Sequence, residues 1–323
     1  MDRWSTGRSE RRPGRPRYGP RIRPRFPQGV RHPIRAIRDR PRRPIKPLPL
    51  LKLIAPADLI TLMNFICGVL AVMTSVTGGD GYRIAMMLII LGVIFDGLDG
   101  PVARRFGSSH NFGIWLDSIA DAATFCIAPA ILVYNMFRDP EIGSFYNAVV
   151  IISALSITIL GILRLARFSL FQSKWNDFIG LPTPAFAMLV ISFTSLYHWS
   201  VKMEYDVEFF TTGEPFLIPV LVFILSWAMV SDILYKKYRG RLLLIAAVVI
   251  LTMELSLLFG VHEPQLGMMG SILFTAASLG YYFSPILQGP RNIWGAKARL
   301  ESEYDYPDDE MIDEELEDLY EGY

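Results

Sequence analysis

Four aspartates stand close together inside two apolar stretches of the chain. Asp96 and Asp99 lie in IFDGLDGPVARRF, and Asp117 and Asp121 lie in NFGIWLDSIADAATF. If these stretches are membrane helices, a carboxylate at a helix centre costs about 3 kcal/mol, so four of them require compensating partners. The spacings of three and four residues place each pair on one face of its helix.

The connection between the two stretches is short, which predicts an antiparallel helical hairpin. In such a hairpin Asp96 comes level with Asp121, and Asp99 comes level with Asp117. Facing carboxylates repel one another and take up protons unless cations join them. Their hard oxygen ligands suit Mg²⁺ or Mn²⁺, and two-ion sites clamp the attacking and leaving oxygens in phosphoryl displacement. The aspartates therefore predict a site for divalent cations, and phosphoryl displacement is a reaction that such a site could serve.

Small residues are interleaved with the acids. They are Gly97, Gly100, Ala103 and Gly113. They permit either close helix packing or the approach of a bulky ligand to the backbone beside the metals, and the sequence leaves both open. Pro101 removes a helical hydrogen bond in the same segment, so local distortion is expected. The alternative for the acids themselves is solvation or ion pairing with Arg104 and Arg105, which does not explain four acids in facing register.

The elements that must position these residues are membrane helices. Apolar residues make up 51% of the chain, and a bilayer core requires about 20 apolar residues per helix. Eight candidate spans cover residues 57 to 77, 83 to 104, 112 to 136, 146 to 166, 183 to 199, 215 to 232, 241 to 260 and 267 to 287. Lys and Arg concentrate in the loops after the second, fourth and sixth spans. This alternation predicts an all-α integral protein of the cell membrane with both termini cytoplasmic.

Composition divides the chain into residues 1–50, 51–290 and 291–323. Residues 1 to 56 hold seventeen Lys or Arg against three acids, and residues 286 to 323 hold three against twelve. The first part mixes Arg with Pro, which predicts a disordered cytoplasmic tail drawn to anionic lipid headgroups rather than to nucleic acid. The last part predicts an acidic cytoplasmic tail, and the middle part a transmembrane catalytic domain. Cys67 and Cys126 lie in apolar stretches and are expected to be buried thiols.

The residues around the aspartates resemble the signature of the CDP-alcohol phosphotransferase family, D-x2-D-G-x2-A-R-x8-G-x3-D-x3-D. All eight fixed positions are present over 26 residues with every spacing kept: Asp96, Asp99, Gly100, Ala103, Arg104, Gly113, Asp117 and Asp121. The resemblance implies that the aspartates bind two Mg²⁺ or Mn²⁺ ions at the diphosphate of a CDP-activated lipid. It also implies that Asp121 is the base that takes the proton from the acceptor hydroxyl.

The same resemblance implies a nucleotide and phosphate site and a fold. Gly100, Ala103, Arg104 and Gly113 would line that site. In this family an Asn followed three residues later by Thr often opens the first helix and contacts the nucleotide. Here Asp58 and Thr61 hold these positions, so Thr61 carries over whereas Asp58 departs from the Asn and could instead be a helix N-cap. The implied architecture is a six-helix core plus two additional transmembrane helices, and the implied assembly is a homodimer.

The acceptor alcohol is predicted from two other segments, TLMNFICGVLAV and GILRLARFSLFQSKWNDFIGLPTPAFA, which resemble the phosphatidylserine synthase branch of the family. Arg164 and Arg167 lie three residues apart, and an Arg fork binds a carboxylate such as that of L-serine. The prediction is transfer of a phosphatidyl or archaetidyl group from CDP-diacylglycerol or CDP-archaeol to serine, releasing CMP in phospholipid biosynthesis. A phosphate on the acceptor would suit the same arginines, which leaves glycerol 3-phosphate and inositol phosphate open.

Transport of cations or protons is an alternative function of another class. A cation or proton transporter would also use intramembrane carboxylates, but such proteins usually place them at the midplane between repeated halves. These acids lie toward one end of their spans, and no repeat is visible. An inactive lipid-binding relative is disfavoured because the set of acids is unbroken.

Overall fold

The computed structural model describes residues 55–106, 110–171, 178–203, 216–237 and 240–287 of the chain. The basic tail predicted for residues 1–50 and the acidic tail predicted for residues 291–323 lie outside the described residues. The described part is helical, as predicted for an all-α membrane protein. Its exception is a two-residue antiparallel ladder, in which Phe178 pairs with Tyr235 and Ile179 with Leu234.

The helices and strands follow one another in chain order. They are α1 (Pro56–Ser75), α2 (Asp80–Phe106), α3 (His110–Asp121), a π-helical segment (Ala122–Ile127), α4 (Ala128–Phe137), α5 (Ser144–Phe171), β1 (Phe178–Ile179), α6 (Thr183–Lys202), α7 (Leu217–Ser226), a 3₁₀ turn (Trp227–Met229), β2 (Leu234–Tyr235), α8 (Arg241–Phe259), α9 (Pro264–Tyr282) and α10 (Ser284–Leu287). A helix occupies each of the eight stretches predicted to cross the membrane.

Five helical stretches within the described ranges are long and apolar enough to cross a membrane. They are Pro56–Ser75, Asp80–Arg105, Phe112–Phe137, Ser144–Ser169 and Arg241–Phe259. The protein is therefore a multi-pass membrane protein. Membrane crossing by α6, α7 and α9 stays a prediction, and so does the division into six core and two additional spans.

The helices pack around α6, whose side chains are mostly buried. On one side α4, α5, α6 and α7 enclose a core that includes Phe137, Val150 and Phe186. On the other side α1, α2, α6, α8 and α9 meet around Met86 and Trp199. The first two helices run against each other along their length, and α3 packs on α1. The acid-bearing hairpin of α2 and α3 is therefore supported by α1.

The helix that carries Asp117 and Asp121 is continuous but irregular. Regular α-helix ends at Asp121, a π-helical segment follows from Ala122 to Ile127, and α4 continues with helical backbone angles at both junctions. Single π-helical turns inside α-helices are rare and frequently occur at functional sites. The irregular turn thus begins directly after the last of the four aspartates.

Candidate active site

The four aspartates converge from the two arms of the hairpin. Carboxylate oxygens of Asp96, Asp99 and Asp117 all lie within 4.8 Å of one another. Asp96 lies near enough to Asp121, and Asp99 near enough to Asp117, for the carboxylates of each pair to interact electrostatically. The structure therefore contains the facing pairs expected from the antiparallel register. Asp121 is the most deeply placed of the four, with 8% of its surface exposed.

The donor chemistry of this cluster fits divalent metal ions. Three carboxylates held within 4.8 Å of one another on packed helices repel strongly in a poorly solvated environment. A divalent cation removes that repulsion, and oxygen-only ligands of this kind select hard ions such as Mg²⁺ and Mn²⁺. Asp121 lies near Asp96 but outside this group of three, so its part in the ligand set stays a prediction.

A cavity of about 170 Å³ opens beside the acids. It is lined by Ala57, Asp58, Thr61, Asp99, Gly100, Ala103, Gly113, Ile114 and Asp117. Five of the six residues predicted to bind the CDP-lipid are in this lining. The sixth, Arg104, is exposed, and its guanidinium lies over Gly100, where it would be 3.6 Å from an added Cβ.

Gly97 and Gly100, which lie beside the acids of α2, face open space rather than a neighbouring helix. A Cβ added at Gly97 would meet no atom within 4 Å, and one at Gly100 would meet the flexible end of Arg104 alone. Gly68 and Gly92 differ, because a Cβ at either would lie 2.5 Å from the side chain of Thr124. Close helix packing therefore explains Gly68 and Gly92 but not Gly97 and Gly100, and the bare backbone of Gly100 borders the cavity.

Two polar residues of α1 border the cavity. The Thr61 hydroxyl lies 3.3 Å from Oδ2 of Asp99 and 3.3 Å from the backbone oxygen of Ala57, and its one donor is shared between them. Asp58 accepts a hydrogen bond from the backbone N–H of Ala55 on Oδ2, at 2.7 Å, which stabilises the start of α1. Both side chains are buried. The N-cap of α1 is Ala55, so the prediction that Asp58 is the N-cap is wrong; Asp58 lies three residues further on, accepts from the N-cap backbone, and also lines the cavity.

Arg164 lies deep in the protein near Asp121. It is 4% exposed, its Nη1 donates to the Thr183 hydroxyl at 3.4 Å, and its guanidinium lies 4.4 Å from the ring centroid of Phe168. It is near enough to Asp121 to interact electrostatically. Its Nε has no hydrogen-bond partner within the described part of the chain. A buried guanidinium with an unused donor is suited to an anionic group.

Arg167 is engaged by the protein itself. Its two terminal nitrogens donate to Asp232 Oδ1 at 3.1 Å and to four backbone carbonyls at 3.0 to 3.3 Å, those of Ile179, Met229, Val230 and Ser231. Gly180, with a φ of 73°, lies against the same group, and a Cβ there would collide with Arg167 Nη2 and the Met229 carbonyl. Arg167 therefore ties the strand β1 to the loop before β2. The prediction that it binds the acceptor is untested, and these contacts give it a structural role.

Two site residues were not predicted from the sequence. Asn64 on α1 is fully buried and donates from Nδ2 to Asp121 Oδ1 at 3.3 Å. Thr124, in the π-helical segment, is also fully buried and donates from its hydroxyl to the backbone oxygen of Asn64 at 2.8 Å. In the sequence each is a polar side chain within an apolar span. Asn64 follows Thr61 by one helical turn, and Thr124 follows Asp121 by three residues.

A family model matches a part of the chain that contains all of the site residues described above. The model of the CDP-alcohol phosphatidyltransferase family matches residues 54–275. The chain belongs to this family, whose members are generally metal-dependent. It is accordingly an all-α, multi-pass membrane enzyme.

Individual relatives are similar over the same region. A CDP-diacylglycerol--serine O-phosphatidyltransferase of Methanocaldococcus jannaschii is 36% identical over 191 residues, which are 59% of this chain and 78% of the relative. An archaetidylserine synthase of Methanothermobacter thermautotrophicus is 33% identical over 58% of this chain and 72% of its own length. A CDP-diacylglycerol--serine O-phosphatidyltransferase of Bacillus subtilis is 32% identical over 56% of this chain and 89% of its own length.

Proposed function

We propose that this enzyme transfers the phosphatidyl or archaetidyl group of a CDP-activated lipid to L-serine and releases CMP. The observation that carries the proposal is the convergence of four aspartates beside an open cavity, with the buried Arg164 next to Asp121. The names of three relatives at 32–36% identity, two CDP-diacylglycerol--serine O-phosphatidyltransferases and one archaetidylserine synthase, support serine as the acceptor.

The metal site is proposed on the acid cluster. Asp96, Asp99, Asp117 and Asp121 would hold two Mg²⁺ or Mn²⁺ ions. Such ions, when bound, neutralise the charge of the diphosphate and stabilise the oxygens of an in-line displacement. Thr61, whose hydroxyl contacts Asp99, keeps this carboxylate directed toward the cavity.

The chain's own residues bind and orient the substrates. Cytidine and diphosphate occupy the cavity along Asp58, Thr61, Ala103 and Gly113, where the bare backbone at Gly100 admits them closely. The exposed Arg104 over Gly100 adds positive charge for the phosphates. The carboxylate of serine pairs with Arg164, which directs the serine hydroxyl toward Asp121.

Asp121 acts as the general base. It accepts the proton of the serine hydroxyl, and the serine oxygen forms a bond to the lipid-side phosphorus while the bond from that phosphorus to the oxygen of CMP breaks. The electron pair of the broken bond leaves with CMP. Direct displacement is preferred to a covalent intermediate because no Ser, Cys or His of the described residues lines the cavity.

Acceptors that carry a phosphate are the alternative within the same chemistry. Glycerol 3-phosphate and inositol phosphate bring a doubly charged group, which is best bound by more than one free guanidinium. Arg167 already donates to five protein oxygens, so Arg164 alone faces Asp121 from α5. A single buried arginine favours the carboxylate of serine.

The test uses the purified full chain in lipid nanodiscs with CDP-diacylglycerol or CDP-archaeol and Mn²⁺. Labelled serine, glycerol 3-phosphate and inositol 1-phosphate are offered in competition, and CMP and labelled lipid are measured. We expect serine to be incorporated in preference to both phosphates. Incorporation of a phosphate-bearing acceptor instead would reject serine, and ion flux in sealed vesicles without CMP release would support a transporter.

The membrane arrangement is proposed alongside the reaction. Lys236 and Lys237, after the sixth predicted span, are exposed, and Arg104 and Arg105 are exposed after the second. Positive residues face the cytoplasm in membrane proteins, so both termini and the active site lie on the cytoplasmic side of the cell membrane. We also infer a homodimer from the family. Protease protection of terminal tags in oriented vesicles and the mass of the detergent-solubilised protein test these two points.

A further inference from the structure

Thr124 is inserted into a slot between the first two helices. A Cβ at Gly68 on α1 would lie 2.5 Å from its hydroxyl oxygen and 2.8 Å from its Cα, and a Cβ at Gly92 on α2 would lie 2.5 Å from its Cγ2. Each glycine therefore leaves the space that one face of the threonine fills. Its hydroxyl is anchored in this slot by the 2.8 Å hydrogen bond to the Asn64 carbonyl.

The same slot fixes the amide of Asn64. Its Oδ1 would lie 2.9 Å from a Cβ at Gly92, so a side chain at that position would displace it. Its Nδ2 donates to Asp121 at 3.3 Å. Asn64 thus contacts the π-helical segment through its backbone oxygen and the last aspartate through its side chain.

The π-helical segment is held from its other side as well. A Cβ at Gly161 on α5 would lie 2.6 Å from the Cys126 sulfur, so Cys126 occupies a notch in α5 just as Thr124 occupies the slot of α1 and α2. The segment begins one residue after Asp121. These contacts therefore set the rotation of the helix about its axis at Asp121, and with it the direction of the Asp121 side chain.

We propose that Asn64 and Thr124 are positioning residues for Asp121. Asn64 holds the carboxylate by its amide, and Thr124 locks the π-helical turn that presents this carboxylate to the acceptor hydroxyl. The proposal rests on the proposed function of Asp121 as the base. It predicts that loss of either contact lowers the rate of the chemical step more than it weakens the binding of either substrate.

The experiment compares Thr124→Val, which keeps the shape and removes the donor, with Thr124→Ser, which keeps the donor. Thr194→Val is the matched control, because Thr194 is also fully buried but its hydroxyl contacts a carbonyl of its own helix α6, at 3.0 Å, and the Met86 sulfur on α2 rather than a residue of the site. The kcat, the KM for CDP-lipid and the KM for serine are measured from CMP release. Thermal unfolding and amide hydrogen exchange across residues 121–127 are followed in the same preparations.

The expected result is a fall in kcat of about 10- to 100-fold for Thr124→Val and Asn64→Ala, with both KM values within about twofold of wild type. Thr124→Ser and Thr194→Val should keep kcat near the wild-type value, and exchange across 121–127 should be faster in Thr124→Val alone among the three threonine variants. The proposal is overturned if Thr124→Val retains the kcat of Thr194→Val. Should Thr124→Val not fold, Asn64→Ala decides by the same criterion.

The same experiment distinguishes failure of the proposed serine transferase function from failure of the positioning proposal. If wild type and Thr194→Val release no CMP when serine is added, the serine transferase function is wrong. The positioning proposal is then decided by hydrogen exchange: faster exchange across 121–127 in Thr124→Val than in Thr194→Val upholds the lock, and equal exchange rejects it.

Discussion

The hydroxyl of Thr61 on α1 lies 3.3 Å from Oδ2 of Asp99 on α2 and donates to it. This contact joins the helix that borders the cavity to the acid cluster. A ligand held by α1 is thereby placed against the carboxylates, because both groups line the same cavity.

The first prediction concerns this contact. Thr61→Val removes the donor and keeps the shape, so we expect the KM for CDP-lipid to rise about 5- to 10-fold, the worth of one ordinary hydrogen bond. Steady-state CMP release measures it. Thr61→Ser is the control and should remain near wild type, whereas an unchanged KM in Thr61→Val would remove Thr61 from the substrate site.

The second prediction concerns the proposed base. Asp121→Asn keeps the shape of the side chain and removes its basicity, so kcat should fall by about 10²- to 10⁴-fold. CDP-lipid binding to the folded variant is measured separately. Asp80→Asn is the matched control, because Asp80 pairs with Lys202 at an exposed site at the opposite end of α2, and it should turn over normally. Near-normal turnover by a folded, CDP-lipid-binding Asp121→Asn would reject the base assignment.

The third prediction separates the two kinds of glycine. Gly68→Ala should lower the free energy of unfolding by about 1–3 kcal/mol, because the new methyl group meets Thr124 and overpacks the helix contact. Gly100→Ala should fold normally, since its Cβ would meet the end of Arg104 alone, yet it should raise the KM for CDP-lipid. Thermal unfolding and CMP release are compared for the two variants. A stability loss at Gly100 equal to that at Gly68 would show that both are packing glycines.

The fourth prediction separates the two arginines of α5. Arg164→Gln should reduce kcat/KM for serine by about 100-fold, as expected when one partner of a buried charge pair is removed. Arg167→Gln should instead lower the melting temperature, because several carbonyls between Ile179 and Ser231 lose their donors. Serine kinetics and thermal unfolding of each variant provide the comparison. If Arg167→Gln were stable and specifically defective in serine use, the acceptor role predicted for both arginines would be restored.

The sequence by itself determined the helical membrane fold and the convergence of the acids. Both follow from local periodicity: spacings of three and four residues fix a helix face, and a short connection fixes the antiparallel level of Asp96 with Asp121. The apolar stretches likewise marked the helices, because a bilayer demands length and apolarity within one segment. These properties belong to a few consecutive turns and can be predicted without knowing what packs against them.

Tertiary structure decided what the neighbouring residues do. Arg164 and Arg167 are three residues apart and look equivalent in sequence, but Arg164 is buried near Asp121 while Arg167 binds the loops around Ile179 and Ser231. Glycines also look alike in sequence, although Gly68 admits Thr124 and Gly100 leaves space for a ligand. In each case the partner comes from a distant part of the chain, and only the packing of the helices brings it into contact.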